Sequence, residues 1–491
     1  MQVTDTSRTV QNTAILEPLV PAPAAQVIES LKALKVRTAG PAIPVPIPIP
    51  IPIIFGSRFL IWKQDPTVIE LGRRLKYIEG LILNGPRDTR INTQLVGTTP
   101  VTRDINGDFI FPFADSPQAD CAHTFAVVRD SLTLYERLLG GTAIPWAWNI
   151  GSNTDVLNIH PRAGVTANAF YSRSEKSLKF FFFTPAGSSV PVFTCRSFDI
   201  VAHETGHAIL DGLKPGWLAF GNPPQTGALH ESFGDLTALF LALSQLDQVE
   251  SFIALTKANL HEKNFLAALA EQFGTALGQP VGLRNADNDL KLSQVSNQVH
   301  ALSQVFTGGV YDVLADIYAF EKNRQRTTKD PALVLVEVAR HLCALLLKGI
   351  RNAPSTAATF AHVVNAMLVA SHAQGDPPIY RTFLRNRFTF REVVVSPTPL
   401  TAFKSGRINM EDAGFTEGKD VQELPMAHQD HPSITAPQDR SDTCGTMQLP
   451  EYYQEEAELE LQLRELSETG NEISPERLLN RQILTLAKQF R

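Results

Sequence analysis

Apolar residues are spaced in two different ways along the chain. From about residue 59 to residue 113 they come in short runs, RFLIWK and GDFIFPF among them, separated by NGPRD and RDINGD. Short apolar runs between turn-forming residues predict strands joined by turns. A helical spacing follows from about Ala119 to Leu139, then strand-like sequence again, ending in KFFFFT at residues 179–184. After Ser197 the spacing turns predominantly helical and stays so to about Ala373. Segments 236–246, 332–350 and 357–371 each combine apolar residues with helix-forming composition. The expected fold class is therefore α+β, a mixed β-rich half followed by an α-rich half.

The two ends of the chain follow neither spacing. VPIPIPIP at residues 45–52 alternates proline with aliphatic residues, which favours polyproline II, a stiff strut. It reads either as a spacer or as an extended plug lying in a substrate cleft. Beyond about Ala402 the sequence is polar: residues 425–443 read as an unstructured linker, and EEAELELQLRELSE at 455–468 as an acidic amphipathic helix. The expected organisation is an N-terminal extension over 1–55, a β-rich lobe over 56–196, an α-helical lobe over 197–402, and a linker with an acidic helical tail over 403–491.

Composition narrows the function classes. With 491 residues and 43% apolar content the chain can fill sizeable cores, roughly two or three domains' worth, and is not globally disordered. Its 44 Lys+Arg against 50 Asp+Glu give a formal charge of −6, with no basic run, so nucleic acid is not the expected partner. A membrane-spanning helix needs about 20 mostly apolar residues. No window supplies them free of charge and proline, so no span is expected. The N-terminus MQVTDTSRTVQNTA lacks a basic segment followed by an apolar one, so no secretory signal is read. The expected location is the cytoplasm, with export by a non-classical route left open. Cys121, Cys195, Cys343 and Cys444 have neither metal-ligand nor disulfide-framework spacing.

The stretch that carries chemistry is SFDIVAHETGHAILDGLKPG, residues 197–216. It reads as a helix with Ser197 as N-cap and Asp199 in its first turn, stopped by Gly212 and Pro215. Residues four apart share a helix face, so His203 and His207 can aim two imidazoles at one ion, with Glu204 one step round. Two neutral nitrogens plus a carboxylate to take a proton from water is the donor set of a hydrolytic zinc. At this His and Glu content, chance placement yields about 0.015 H-E-x-x-H matches per chain. Gly206 costs a helix roughly 1 kcal/mol relative to alanine, so close packing near the site is expected to require it. A third ligand is needed, and Glu231 in GALHESFGDLTALFLAL is the candidate. Asp235, one turn further, is placed to hydrogen-bond a ligand imidazole and hold its tautomer.

DIVAHETGHAILDG followed by HESFGDL resembles the thermolysin-like zinc metallopeptidases, the gluzincins. The metzincin pattern fails, since Leu210 stands where it needs glycine. The gluzincin resemblance implies a two-lobed catalytic domain bridged by the zinc-binding helix, with the site in the cleft between the lobes. It implies His203, His207 and Glu231 as zinc ligands, Glu204 as general base and Asp235 behind the ligands. Asn168, Ala169 and Phe170, in NAFY, are similar to the family's edge strand, which binds substrate backbone by strand addition. SNQVHALSQVFTGGVYDVL resembles the stretch whose histidine stabilises the tetrahedral intermediate, and so implies that role for His300.

The implied function is zinc-dependent endopeptidase acting on a peptide or protein, with a catalytically weak zinc-stabilised scaffold as the alternative. The alternative is motivated by departures from the pattern. No tyrosine lies between Ala208 and His230, His230 replaces the usual asparagine before Glu231, and Val295 stands where a carboxylate is expected before His300. Asp199 matches one calcium ligand of the family, but Ala242 stands where its partner acid belongs, which makes calcium doubtful.

Overall fold

The computed structural model describes residues 56–394, apart from 70, 96–98 and 278–281, together with the backbone of residues 443 and 444. The N-terminal extension 1–55, with its Pro/Ile strut, lies outside these residues. So do 395–402 and, save 443 and 444, the linker and tail 403–491.

RFLIW lies in strand β1 (Gly56–Trp62), which pairs antiparallel with β2 (Arg73–Glu79). Phe59 and Ile61 point inward and Arg58 outward, the two-residue period of a half-buried strand. GDFIFPF forms no strand. Phe109 makes a single bridge to Phe59 and stacks on its ring at 5.0 Å. Pro112 has no N–H to give a ladder, and the Arg73 guanidinium occupies the carbonyls of Phe111 and Pro112.

Five strands build the larger sheet: β3 (Ile91–Thr93), β4 (Leu157–His160), β5 (Ala169–Ser172), β6 (Ser177–Phe180) and a strand from far along the chain, Thr443–Cys444. Their order runs from Thr443–Cys444 through β5, β6 and β4 to β3. β4 runs parallel to β3 and β6, whereas β5 runs antiparallel to β6, with Ala169 opposite Phe180. The phenylalanine run splits here. Phe180 ends β6, while Phe182 and Phe183 form β7 (Phe182–Phe183), paired with β8 (Val192–Phe193). Two further short strands, β9 (Ala268–Leu269) and β10 (Arg284–Asn285), pair with each other; Thr443–Cys444 is therefore β11.

Helix α1 (Pro117–Leu138) starts where Ser116 caps it, its hydroxyl accepting from the Ala119 N–H at 3.1 Å with Pro117 behind it. The remaining helices are α2 (Phe198–Leu213), α3 (Pro224–Leu243), α4 (Leu246–Thr256), α5 (Glu271–Ala276), α6 (Val299–Arg324), α7 (Pro331–Asn352), α8 (Phe360–Ala373) and α9 (Pro378–Phe390). The architecture is thus mixed α+β, with strands and one long helix before Ser197 and mostly helices after it. Among the described residues no single helix is long and apolar enough to cross a membrane.

α2 and α3 are buried on nearly every side, as helices apolar all round must be. They approach closely because glycine meets glycine. A Cβ on Gly206 would stand 2.8 Å from Thr237 Oγ1 and 2.9 Å from Gly234 Cα, and one on Gly234 would stand 2.7 Å from the His203 ring. Thr237 is braced in turn by the Tyr135 hydroxyl of α1 at 2.9 Å. The close packing expected at Gly206 is therefore found. Gly206→Ala is expected to force α2 and α3 apart. Overpacking of about 1–3 kcal/mol should outweigh the helix-propensity gain of about 1 kcal/mol. A urea midpoint equal to or above that of the wild type would overturn this account.

The helix start at Ser197 agrees with its extended backbone, φ −75° and ψ 118°, though its side chain makes no cap hydrogen bond. The expected stop at Gly212 is not found, because the helix continues through it to Leu213. Gly212 is there for space: a Cβ would fall 2.0 Å from the Pro145 carbonyl oxygen. Pro215 does end the regular helix, opening the 3-10 turn Pro215–Leu218.

Candidate metal centre

Helix periodicity puts His203, Glu204 and His207 on adjoining positions of α2, and the Gly206–Gly234 contact brings Glu231 of α3 against them. The two Nε2 atoms converge on one carboxylate: His203 Nε2 lies 3.4 Å from Glu231 Oε2, and His207 Nε2 lies 3.7 Å from Glu231 Oε1. Around a tetrahedral zinc with nitrogen and oxygen ligands about 2.0–2.1 Å away, neighbouring donors stand about 3.3 Å apart. All three residues are at most 2% exposed, and they form a group that could hold a metal ion.

The opposite ring nitrogens fix the tautomers. His203 Nδ1 is 2.8 Å from Asp235 Oδ1, and an ionised carboxylate only accepts, so Nδ1 carries a hydrogen and Nε2 is the nitrogen that a metal could take. Asp235 is itself clamped by Arg284 of β10, whose Nη2 donates to Oδ1 at 2.6 Å and whose Nε donates to Oδ2 at 3.0 Å. His207 Nδ1 faces His230 Nδ1 at 3.1 Å, the rings stacked with centroids 5.3 Å apart. One of the pair must donate. Burial pulls His230 down to about 4 and lowers His207 as well, so both rings are neutral; a metal at His207 Nε2 requires His207 Nδ1 to be the donor and His230 Nδ1 the acceptor. The Nε2 atoms of His203 and His207 are buried without a hydrogen bond among the described residues, although both face the Glu231 carboxylate. Two such buried nitrogens beside one carboxylate fit a cation.

Electrostatics agree. Burial works to raise the Glu231 carboxyl, but His300, His207 and His203 outweigh it and hold it well below the usual range. Burial alone would lower His203, but the Asp235 and Glu231 carboxylates raise it to about 9, so without a metal Nε2 is protonated and a metal arriving there displaces that proton. Burial opposes the charge of Arg284 as well, yet Asp235, then Glu231 and Glu204, keep its guanidinium protonated.

Glu204 is fully buried on α2 between the two histidines. His300 is the second residue of α6, whose N-cap Gln298 accepts from the Ala301 N–H at 2.9 Å. Its Nδ1 lies 3.0 Å from Glu231 Oε2, so α6 does bring His300 to the constellation, with Glu231 as the carboxylate beside it. Asn168 precedes β5. Its side-chain oxygen accepts from the Ala169 N–H at 2.8 Å and its carbonyl from the Phe181 N–H at 3.2 Å. Ala169 is buried, and the Phe170 ring packs on Phe181 at 5.5 Å. These residues are tied to α2 through Tyr171, whose hydroxyl donates to Asp211 Oδ2 at 2.7 Å, one helical turn beyond His207. Arg173 closes the same carboxylate from the other side.

Two groups of the site escaped the sequence. Arg284 stands in GLRNADN, where nothing local marks it. His230 was noticed as a departure, but its partner is a ring in another helix. Asp199 belongs to neither potential metal group among the described residues; burial, then Asp65 and Glu271, push its carboxyl well above the usual range. The other such group, His261, Asp287 and Asp312, is already charge-compensated, since Arg391 Nη2 donates to Asp312 at 2.8 Å.

No family model matches the chain, and no curated protein matches it either. Among solved structures it is similar to the precursor of protealysin, a metalloproteinase from Serratia proteamaculans. The likeness has 11% sequence identity and a TM-score of 0.38, and covers 61% of this chain and 86% of that one. At that level it adds nothing to what the residues themselves carry.

Proposed function

We propose that the chain is a zinc-dependent endopeptidase with His203, His207 and Glu231 as metal ligands. The observation that carries this reading is the convergence of the two Nε2 atoms on one buried carboxylate, with Glu204 between the histidines on α2. A purely structural zinc prefers four protein ligands, usually with cysteine. Three ligands with a second carboxylate on the histidines' helix suit hydrolysis instead.

Zinc bound there would act as a Lewis acid and bring the pKa of a coordinated water towards 7. Glu204 takes the proton of the attacking water on its carboxylate and hands it on to the leaving amine. His300 donates to the oxygen that gains charge as the peptide carbonyl is attacked, an electrostatic contribution typically of about 3 kcal/mol for one donor. Asp235 and Arg284 hold His203 in the tautomer that coordinates, and His230 does the same for His207. Asn168, Ala169 and Phe170 align the substrate backbone, and the strand-bearing and helical parts form the two lobes of the family's cleft. An extended peptide or protein segment is the substrate class this arrangement suits.

One group of observations favours a second reading, a catalytically weak scaffold: the absence of tyrosine between Ala208 and His230, and Val295 ahead of His300. Incubating the zinc-loaded protein with a mixed peptide library, with and without a chelator, separates the two by mass spectrometry. Cleavage that disappears on chelation and returns with zinc is the expected result. A zinc-loaded, folded protein that cleaves nothing would favour the scaffold.

A further inference from the structure

The strand marked for substrate is already paired on its outer side at its C-terminal end, next to Asn168–Phe170. β6 takes one edge of β5, with Ala169 opposite Phe180 and Tyr171 opposite Leu178. β11 takes the other, antiparallel, with Thr443 opposite Ser172 and Cys444 opposite Tyr171. A strand edge is a single row of N–H and C=O groups and admits one extended chain at a time. A peptide that extends along β5 from Asn168–Phe170 to Tyr171 and Ser172 and the chain's own residues 443 and 444 therefore exclude each other. The sequence permits this contact only over a limited stretch. Residues 438–449 contain no proline, whereas Pro432, Pro437 and Pro450 flank them, and proline cannot donate to a ladder. The site itself is closed. His203 is 2% exposed, Glu204 0%, Glu231 1% and His300 9%, although hydrolysis requires a peptide carbonyl and water to enter.

We propose that the C-terminal segment at Thr443–Cys444 is an internal competitor for the peptide-binding edge of β5, and that it holds the protein latent until the tail is displaced or removed. This rests on the peptidase reading above and adds its regulation. A tethered competitor acts at an effective concentration of about millimolar, so it raises the apparent KM and leaves kcat alone. The pairing is only two residues long, which makes it displaceable by a longer extended substrate.

The first readout needs no activity. Ser172→Cys and Thr443→Cys are introduced together with Cys444→Ser. Facing residues of an antiparallel pair have Cα atoms about 4.5–5.5 Å apart, within disulfide reach. Cys121, Cys195 and Cys343 are buried and do not compete. Mild oxidation should give a cross-linked peptide pair by mass spectrometry. The second readout compares the full chain with one lacking residues 442–491 at equal bound zinc. KM for a library peptide should fall about ten-fold, with kcat within two-fold. Where the shortened chain fails to fold, Thr443→Pro and Cys444→Pro remove the ladder donors without shortening it, and the same shift is expected.

Absence of the cross-link overturns the proposal, and so does an unchanged KM in a folded, tail-less or proline variant. If neither form cleaves any peptide, the peptidase reading fails separately. The tail is then tested by the calorimetric affinity of a dipeptide hydroxamate: tighter binding without the tail supports the competition, and equal binding overturns it.

Discussion

Glu204→Gln is expected to lower kcat/KM for peptide hydrolysis by about 10²–10⁴-fold while bound zinc stays at the wild-type level. The amide has almost the shape of the carboxylate, so the packing of α2, in which residue 204 is fully buried, is kept. What it lacks is basicity: it cannot take the proton from water or return one to the leaving amine. Metal retention is expected because the proposed donors are His203, His207 and Glu231, and their outer partners Asp235 and His230 are untouched. Metal stoichiometry by mass spectrometry, with initial rates on one library peptide, checks both halves. Activity within three-fold of wild type would remove Glu204 as the base. Parallel loss of activity and metal would mean that it is a ligand or a structural member instead.

Arg391→Met is expected to destabilise the fold by about 3–5 kcal/mol, the range seen when one member of a buried ion pair is removed. Arg391 is fully buried beyond the end of α9. Its Nη2 donates to Asp312 Oδ2 at 2.8 Å and its Nη1 to the Leu290 carbonyl at 2.9 Å, with the Asn288 carbonyl also bound. Space for it comes from Gly308 and Gly309 in α6, where added Cβ atoms would stand 2.8 Å from Nη1 and 3.2 Å from Cδ respectively. Among the described residues, methionine would leave Asp312 with Arg387, 3.7 Å away, as its cationic neighbour, and remove the guanidinium donor from two carbonyls. Because the same guanidinium ties the loop after Arg284 to the helix carrying His300, zinc affinity should fall as well. Urea denaturation measures the loss, and the Asp312→Asn, Arg391→Met double variant should recover part of it. A cost below about 1 kcal/mol, in the range of an exposed pair, would show that Arg391 is no anchor.

Several elements were readable from the chain because their signals are local. Helix α1 was expected from about Ala119 to Leu139 and runs Pro117–Leu138; the stretch 332–350 lies within α7, Pro331–Asn352. Caps and apolar periodicity act within a few residues, so they survive whatever the tertiary context. GDFIFPF failed as a strand because pairing needs a partner edge, and Arg73 with Pro112 denies it one. Gly212 failed as a stop because its reason is the Pro145 carbonyl, remote in sequence.

The sequence by itself determined how His203, Glu204 and His207 stand to one another, since i, i+1 and i+4 on a helix settle their relative placement before anything else folds. It also marked Gly206 as a point of contact, though not what it touches. Only the tertiary structure decided the rest. Glu231 reaches the histidines because two glycines let α2 and α3 close together. Arg284, His230 and the carboxylate beside His300 become part of the site through contacts between separate elements. The occupant of β5's outer edge is likewise a matter of chain crossing, and no local pattern near residues 443 and 444 announces it. Local spacing sets which donors a helix presents, whereas long-range packing sets what faces them and whether the way in is open.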